Sequence, residues 1–521
     1  MTSVPAATAA PSRSRIEPTV WQALRSPRLL TREVLAGLVV AIALIPESIA
    51  FSIIAGVDPR VGLFSSFIMA VAIAFLGGRP AMISAATGAV ALVIAPVARE
   101  HGFDYFIATV LLAGLLQVLL AVLGVAKLLR FIPRSVMVGF VNALAILVFV
   151  AQLPHLIGVP WLVYPMLAVG LIIMTLLPRL TQVVPAPLVA IALLTGAAVV
   201  FSLSVPTVGD QGELPRSLPE LFLPQVPLTW ETLQIIAPYA LAMAVVGLLE
   251  SLMTAKLVDD ITDTHSRKTR EAWGQGVANM LSGMFGGMGG CAMIGQTMIN
   301  VKASGARTRI STFLAGSFLL VLVVVLGDVV AVIPMAALVA VMIVVSVATF
   351  DWHSVRPATL RRMPKSETAV MLITVIATVW THNLAIGVVV GVLSAMVLFA
   401  RRVAHFATVT RTLGADAGGD LGADAAADDA SRTDTVVYTV TGELFFASSN
   451  DLTTQFSYQA DPPHVIIDMS GSHIWDASTV AALDAISTKY AHLGKRVELR
   501  GMNDATSSLH GRLSGELGGA V

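Results

Sequence analysis

The sequence predicts an α-helical polytopic membrane protein with a small α/β domain near its C-terminal end. Three observations support this fold class: the composition, a series of apolar runs, and a change of character after Arg402. Hydrophobic residues make up 56% of the chain and charged residues only 13%, whereas soluble domains have about 25% charged residues. Apolar runs of about 20 residues, the length of a membrane-spanning helix, recur between Val34 and Leu398.

The apolar runs predict fourteen membrane segments, seven in each half of the chain. The segments are expected to begin near Val34, Val61, Ser84, Tyr105, Pro133, Leu162 and Pro185, and then near Leu233, Trp273, Cys291, Arg309, Ala331, Ala369 and Leu384. The third and tenth segments are short and rich in small residues, so we expect them to be half-helices. A proline-containing acidic loop, residues 204–229, separates the two halves.

Lysine and arginine are distributed asymmetrically over the predicted loops. If the N-terminus is inside, the basic clusters between residues 256 and 270 and between 356 and 365 also lie inside, and the outside loops contain only Arg60, Arg99 and Arg216. This distribution follows the positive-inside rule and places both termini in the cytoplasm. Because seven is an odd number, the second half enters the membrane in the opposite orientation. The segments therefore form a 7+7 inverted repeat.

Two short stretches echo each other within this repeat. Residues 77–84 read GGRPAMIS and residues 289–295 read GGCAMIG, and the helix before each carries a Glu-Ser pair, Glu47-Ser48 or Glu250-Ser251. Interrupted hydrophobic segments at matching positions of two halves indicate the binding site of a transporter. Chance similarity between apolar segments is the alternative interpretation.

The composition changes again near the C-terminal end. We divide the chain into a cytoplasmic N-terminal segment (1–30), a transmembrane transport domain (31–403), an Asp/Ala/Gly-rich linker (404–434) and a soluble domain (435–521). In the last of these, strand patterns at 436–440, 465–468 and 496–499 alternate with a helical pattern at 480–493, which predicts an α/β domain. Residues 1–30 have no apolar signal-peptide core, so no cleavage is expected.

Glu250 is the strongest candidate for coupling transport to a cation. It lies inside an apolar segment, where a carboxylate is expensive unless it is paired or faces water. Thr254 follows one helical turn later on the same face. The carboxylate and hydroxyl supply hard oxygen ligands for Na⁺; alternatively, Glu250 carries a proton or makes only a structural hydrogen bond.

The two Ala-Met-Ile stretches are candidates for an anion site. Each is expected to begin a half-helix, and a helix start offers free N–H groups and the positive end of a dipole. The predicted substrate-binding residues are Ser84, Thr87, Gly88, Ala292, Met293, Ile294 and Gly295. The alternative is that these small residues serve only close helix packing.

Glu47, which follows Pro46, and Gln296 are candidate cavity residues. Glu47 either lines the cavity or braces a proline kink. The chain has no metal-ligand spacing, no nucleophile elbow and no phosphate-binding loop with lysine, so neither an enzyme nor an ATP-driven pump is predicted. Zero formal net charge gives no reason to expect nucleic-acid binding, and a single cysteine excludes an internal disulfide.

The chain resembles the SulP, or sulfate permease, family of anion transporters. The resemblance rests on residues 45–51 (IPESIAF) and 55–67 (AGVDPRVGLFSSF), and on Asn300 after the second Gly-rich stretch. The C-terminal domain resembles STAS domains, which are related to bacterial anti-sigma-factor antagonists. The resemblance implies a core domain that moves against a gate domain, homodimers in the cell (inner) membrane, and a substrate site between the third and tenth helices.

BicA-type bicarbonate carriers in this family bind sodium through an acidic residue and a threonine on the eighth helix, a spacing that Glu250 and Thr254 match. The resemblance thus implies a secondary transporter of bicarbonate or sulfate coupled to Na⁺ or H⁺, with no cofactor beyond Na⁺ as coupling ion. Alternatives are a dicarboxylate transporter, an anion channel, and a sensor whose STAS domain addresses a soluble partner.

Two departures from the family concern the tenth helix. Gln296 stands where many members have a basic residue, and Met293 and Ile294 are bulkier than usual. Two helix ends alone supply roughly one positive charge, which suits a monovalent anion such as bicarbonate. In the STAS domain, Ser478 resembles the serine that is phosphorylated in the antagonists; a helix cap is the alternative there.

Overall fold

A computed structural model of the chain describes residues 18–124, 132–180, 185–404, 408–413 and 435–515. Most of the predicted N-terminal segment and residues 414–434 of the predicted linker lie outside these ranges. The described residues form two compact units, which divide at Val392/Leu393.

Helices occupy all fourteen predicted membrane positions. The first half contains α1 (Val20–Arg25), α2 (Pro27–Ala55), α3 (Pro59–Leu76), β1 (Ser84–Ala85), α4 (Gly88–His101), α5 (Phe103–Val122), α6 (Arg134–Val150), α7 (Val163–Leu180) and α8 (Ala186–Val200). The second half contains α9 (Trp230–Thr262), α10 (Lys268–Met284), β2 (Cys291–Ala292), α11 (Ile294–Met298), α12 (Arg309–Val325), α13 (Gly327–Ala331), α14 (Met335–Thr349), α15 (Pro357–Arg362), α16 (Lys365–Thr381) and α17 (Leu384–Ala404).

Hydropathy explains why these segments are helices, because a helix satisfies its own backbone polar groups in lipid. Within the described part of the chain, seven helices are long and apolar enough to cross a membrane, and shorter apolar helices accompany them. The third and tenth segments are interrupted as predicted: a two-residue strand precedes α4 and another precedes α11. A π-helical turn, Ile299–Ala303, directly extends α11.

The packing of the helices has the symmetry of the predicted repeat. The contacts of α5 with α9 and α10 are matched by contacts of α12 with α2 and α3, and those of α6 with α16 by those of α14 with α7. One set of helices, α2–α5 with α9–α12, surrounds the two short strands, while α6, α7, α8, α14 and α16 pack mainly with one another. This division agrees with the expected core and gate domains.

Small residues allow close contacts between these helices. A Cβ on Gly114 of α5 would lie 2.7 Å from the carbonyl oxygen of Gly276 on α10, and a Cβ on Gly276 would lie 2.6 Å from that of Gly114. The two backbones therefore touch directly, as is common where membrane helices cross at small residues.

The C-terminal unit contains a four-stranded sheet. Its strands are β3 (Thr408–Leu413), β4 (Thr435–Leu444), β5 (His464–Ile474) and β6 (Arg496–Arg500), in that order, with β3 antiparallel and the other pairs parallel. Helices α18 (Phe446–Leu452), α19 (Ala477–His492) and α20 (Asp504–Leu513) complete the domain. The α/β prediction is confirmed.

One boundary prediction is wrong. Residues 408–413 belong to the sheet as its edge strand, whereas residues 404–434 were expected to be a linker. The TVTRTL sequence of β3 suits a strand because β-branched residues favour one. The strong Asp/Ala/Gly bias of the residues that follow masked this short pattern.

Candidate functional site

The two interrupted segments meet in an antiparallel strand pair at the centre of the core helices. Ser84 pairs with Ala292 and Ala85 with Cys291, and the Met293 amide donates to the Ile83 carbonyl over 2.9 Å. Because the strands run in opposite directions, the chain enters α4 at one end of the pair and α11 at the other. Both helix starts therefore lie beside one small ribbon, as the anion-site prediction requires.

Gly290 shows how closely the ribbon is packed. A Cβ at this position would lie 1.9 Å from the carbonyl oxygen of Ala85, which no side chain can tolerate. The Gly290 amide donates to Asn279 Oδ1 over 2.7 Å, and Asn279 Nδ2 donates to the Gly290 carbonyl over 3.0 Å. A buried asparagine of α10 thus fixes the entry into β2.

The start of α4 differs from the prediction. The helix begins at Gly88 after the N-cap Thr87, and not at the Ala-Met-Ile stretch of residues 81–83. Ala81 adopts a left-handed conformation (φ 58°), so the chain turns there before it forms β1. Residues 81–83 and 292–294 therefore share the Ala-Met-Ile sequence but do not occupy equivalent positions relative to the helix starts.

The first turn of α4 is buried, and two of its backbone amides are unpaired among the described residues. Thr87 Oγ1 accepts from the Val90 amide over 3.4 Å, while the Gly88 and Ala89 amides make no hydrogen bond to the described residues. A Cβ on Gly88 would approach Phe51 of α2 to 2.9 Å. Ser84 is fully buried, and its hydroxyl accepts from Gln275 Nε2 over 2.6 Å.

The start of α11 agrees with the prediction, but two of the four predicted backbone donors are occupied. The helix begins at Ile294, and Met293 provides no side-chain cap. The Ala292 amide donates to Ser251 Oγ over 3.0 Å, and the Met293 amide donates to Ile83 as described above. The amides of Ile294 and Gly295 remain open among the described residues, and Gly295 is exposed with empty space around its Cβ position.

Glu250 lies directly against the ribbon. Cys291 Sγ donates to Glu250 Oε2 over 2.9 Å and lies 3.1 Å from Thr87 Oγ1. The carboxylate on α9 is therefore connected through one thiol to the cap of α4. This role of Cys291 could not be predicted from its status as a single cysteine; its place in the second Gly-rich stretch is the only signal in the sequence.

Thr254 lies on the same face of α9 as Glu250, as its spacing predicts. Its hydroxyl donates to the Glu250 carbonyl over 2.8 Å and to the Ala292 carbonyl over 3.2 Å. Glu250 is 7% exposed and Thr254 fully buried. The Thr254 hydroxyl thus connects α9 to the Ala292 carbonyl of β2, and the Glu250 carboxylate contacts Cys291, the residue before Ala292.

The serines of the two Glu-Ser pairs both support backbone amides of the broken segments through hydrogen bonds. Ser251 accepts the Ala292 amide directly, whereas Ser48 lies 2.6 Å from Ser66 Oγ, which accepts the Ala86 amide over 3.2 Å. Each serine supports the broken segment of its own half. The supporting residues Ser66, Gln275 and Asn279 were missed by the sequence analysis, because isolated polar residues on long helices carry no pattern.

The two predicted cavity residues form a pair. Gln296 Nε2 donates to Glu47 Oε1 over 2.7 Å, which joins α2 of the first half to α11 of the second. Gln296 is 2% exposed and Glu47 half-buried. Because Phe51, one turn after Glu47, covers the start of α4, helix α2 closes the site from a third side.

Ser478 is exposed in the first turn of α19. The cap of this helix is Asp476, whose Oδ1 accepts from the Thr479 amide over 3.1 Å and whose Oδ2 accepts from the Phe446 amide over 2.6 Å. The capping role therefore belongs to Asp476, and the hydroxyl of Ser478 is accessible.

A buried acid holds the C-terminal domain together. Asp461 accepts hydrogen bonds from Tyr438 (2.7 Å) and Tyr490 (2.5 Å) and forms an ion pair with Arg411 of β3 (2.9 Å). Burial and the hydrogen bond with Asp461 raise the pKa of Tyr490. The hydrogen bond with Asp461 also raises the pKa of Arg411, so this cation stays charged.

The fold and site define an integral membrane protein with an inverted repeat, two broken helices at its centre and a C-terminal α/β domain. The profile of the sulfate permease family matches residues 30–165 and 160–374, and that of the STAS domain matches residues 427–511. The chain belongs to the sulfate permease family.

Known proteins agree with this assignment. YbaR of Bacillus subtilis (strain 168), named as a candidate sulfate transporter, is 51% identical and the match covers 92% of this chain and 96% of YbaR. The transmembrane domain of a cyanobacterial bicarbonate transporter, BicA, superposes with a TM-score of 0.61 at 25% identity, covering 70% of this chain and 97% of that one. The murine anion transporter Solute Carrier 26 family member A9 shares the fold, with a TM-score of 0.78 over 93% of this chain and 87% of its own, at 16% identity.

Proposed function

We propose that this protein is a secondary active transporter that carries a small inorganic anion, bicarbonate or sulfate, across the membrane by alternating access, with Na⁺ as the coupling ion. The observation that carries the proposal is the pairing of β1 with β2, which brings two helix starts together beside Glu250. The names of YbaR and BicA, a candidate sulfate transporter and a bicarbonate transporter, support this substrate class.

The anion is proposed to bind between the starts of α4 and α11. The open amides of Gly88, Ala89, Ile294 and Gly295 supply donors, and the two dipoles together supply roughly one positive charge. The side chains at these helix starts that the structure shows in hydrogen bonds, those of Thr87, Cys291 and Gln296, carry no positive charge. This favours a monovalent anion such as bicarbonate.

The cation is proposed to bind at Glu250 and Thr254. Their oxygens, with the Ala292 carbonyl, are ligands of the hard kind that Na⁺ prefers. A cation there neutralises the Glu250 carboxylate, which the Cys291 thiol connects to Thr87, the cap of α4. Anion and cation therefore favour each other's binding, which is the requirement for symport.

Uptake by proteoliposomes tests this function. Labelled bicarbonate and sulfate are offered with and without an inward Na⁺ gradient, and succinate is added as a competitor to detect a dicarboxylate carrier. The proposal expects Na⁺-stimulated uptake of at least one inorganic anion. Uptake of neither anion under any gradient would refute it, and high-rate currents that need no gradient coupling would indicate a channel.

Two variants locate the cation. Glu250→Gln should abolish Na⁺ stimulation, and Thr254→Val should raise the Na⁺ concentration for half-maximal uptake by about tenfold, as expected for a lost ligand worth about 1.4 kcal/mol. Thr109→Val is the matched control, because Thr109 is a buried α5 threonine whose hydroxyl also bonds the carbonyl four residues earlier, over 2.7 Å. Full Na⁺ stimulation in Glu250→Gln would remove the cation from this site.

We also propose a membrane location, an orientation, an oligomeric state and a mode of regulation for the transporter. The basic residues in the inside loops support a location in the cell (inner) membrane with both termini on the cytoplasmic side. The family resemblance supports a homodimer. The exposed hydroxyl of Ser478 supports regulation of the STAS domain by phosphorylation or by a soluble partner. Cysteine accessibility of residues 13 and 216 from each side, after replacement of Cys291 by alanine, tests the orientation.

A further inference from the structure

Cys291 lies between the proposed cation site and the proposed anion site. Its Sγ is 2.9 Å from Glu250 Oε2 on one side and 3.1 Å from Thr87 Oγ1 on the other. All three side chains are buried, with exposed fractions of 7% or less. Two consecutive hydrogen bonds through one thiol therefore connect the acid on α9 to the residue that caps α4.

The direction of both hydrogen bonds follows from the number of hydrogens. A carboxylate only accepts, so the single S–H hydrogen of Cys291 is donated to Glu250. The Thr87 hydroxyl must then donate to the sulfur, while its oxygen accepts from the Val90 amide over 3.4 Å. In this arrangement the sulfur holds the Thr87 proton, which is therefore not available to an anion.

A cation at Glu250 favours the opposite direction. It offsets the negative charge of the carboxylate, repels the hydrogen end of the S–H bond and attracts the sulfur. The S–H group then donates to its other neighbour, the Thr87 oxygen. Two groups that share one hydrogen bond cannot both donate to it, so the Thr87 hydroxyl no longer donates to the sulfur.

We propose that Cys291 is a positioning residue that couples cation binding to anion binding by reversing these two hydrogen bonds. The released Thr87 proton becomes a donor to an anion beside the Gly88 and Ala89 amides, which directly follow Thr87 in α4. Only the directions of hydrogen bonds change, and no proton leaves its residue. The proposal rests on the proposed function, because it uses the cation and anion sites assigned there.

A thiol suits this task because it is both a weak donor and a weak acceptor, so that reversing its hydrogen bonds costs little. Substitution can separate this property from the size of the side chain. Serine at position 291 would also carry one donor hydrogen and acceptor lone pairs, whereas alanine would carry neither. Because serine and alanine are similar in size, a packing role of Cys291 would be lost equally in both variants.

The single cysteine makes the reversal observable, because the chain has one S–H group. Infrared difference spectra of the purified full-length protein are recorded in gluconate salts of Na⁺ and of N-methylglucamine, without thiol reagents. The S–H stretching band, assigned by its loss in Cys291→Ala, should move to higher frequency with Na⁺, because a neutral hydroxyl is a weaker acceptor than a carboxylate. Glu250→Gln should abolish this Na⁺-dependent shift.

The outcomes separate the reversal from the proposed function. A wild-type band that Na⁺ does not move would overturn the inference, and Na⁺-stimulated uptake by the same protein would leave the proposed function standing. If Na⁺ moves the band but the protein takes up neither bicarbonate nor sulfate, the reversal stands and the proposed function fails.

Calorimetry then measures the coupling as the ratio of the anion Kd without Na⁺ to that with Na⁺. Bicarbonate and sulfate are titrated separately. The ratio should fall about tenfold in Cys291→Ala and in Thr87→Val, which corresponds to the loss of one hydrogen bond to a charged group. Cys291→Ser should retain most of the wild-type ratio. Equal ratios in the wild type and Cys291→Ala, or equal losses in the serine and alanine variants, would overturn the coupling through Cys291.

Discussion

Replacing Gly290 by alanine should damage the anion site without changing any residue that is proposed to touch the anion. The added Cβ would lie 1.9 Å from the Ala85 carbonyl oxygen, while real Cβ contacts do not fall below 3.0 Å. The strands must therefore separate by at least 3.0 − 1.9 = 1.1 Å at this point.

The size of the effect follows from the bonds that depend on the ribbon. A separation of 1.1 Å would stretch the 2.9 Å bond from the Met293 amide to Ile83 to about 4.0 Å, and the 2.7 Å bond from the Gly290 amide to Asn279 would also be disturbed. Each buried group left unpaired costs about 1–3 kcal/mol, so two cost about 2–6 kcal/mol. If the anion must restore the ribbon in order to bind, its affinity should fall at least about 30-fold.

Anion affinity of the purified protein, measured by calorimetry, is the assay, and size-exclusion chromatography reports whether the fold survives. Gly196→Ala in α8 is the matched control, because its Cβ would meet nothing within 4 Å and the helix should be unaffected or slightly stabilised. Wild-type affinity in Gly290→Ala would show that the ribbon does not position the anion site.

Three further predictions concern the C-terminal domain. Asp461→Ala leaves two tyrosine hydroxyls and Arg411 without their partner, so it should destabilise the domain by about 3–6 kcal/mol, measured by urea unfolding with Asp484→Ala as a more exposed acidic control. Because the pKa of Tyr490 is raised, the folded domain holds this proton more tightly than the unfolded chain, whose tyrosines ionise near about pH 10. The contribution of Tyr490 to the free energy of unfolding should therefore be constant below that pH and fall above it. Tyr490→Phe should lessen this fall. A stability that rises through this range would contradict the assignment. Asp476→Ala should destabilise α19 by about 1 kcal/mol and Ser478→Ala should have almost no effect; equal effects in thermal unfolding would mean that Asp476 is not the cap.

The membrane helices could be predicted from the sequence because lipid leaves the backbone few alternatives. The predicted starts at Arg309 and Leu384 coincide with those of α12 and α17, and most others agree within a few residues. The largest difference is at α2, which starts at Pro27 and not near Val34. Proline is favoured in the first turn of a helix, so the apolar run alone places this start too late.

The ribbon and its supports could not be predicted in the same way. Two-residue strands such as Ser84–Ala85 have no periodicity, and their pairing joins residues that are about two hundred positions apart. The sequence echo suggested that residues 81–83 begin a helix, but the left-handed turn at Ala81 and the cap at Thr87 move the start to Gly88. Strand β3 was missed for a related reason, because its partner β4 lies beyond the Asp/Ala/Gly-rich stretch.

The repeat is symmetric in its helices and asymmetric in its chemistry. Thr87 caps α4 through its hydroxyl, whereas Met293 leaves the start of α11 without a side-chain cap. Glu250 is connected to the capped start through Cys291, and Glu47 is connected to the uncapped start through Gln296. We infer that each acid controls one helix start. Because these two connections share no residue, substitutions at Cys291 and Gln296 should act independently on anion affinity, and a double-mutant cycle that gives a large coupling energy would refute this division.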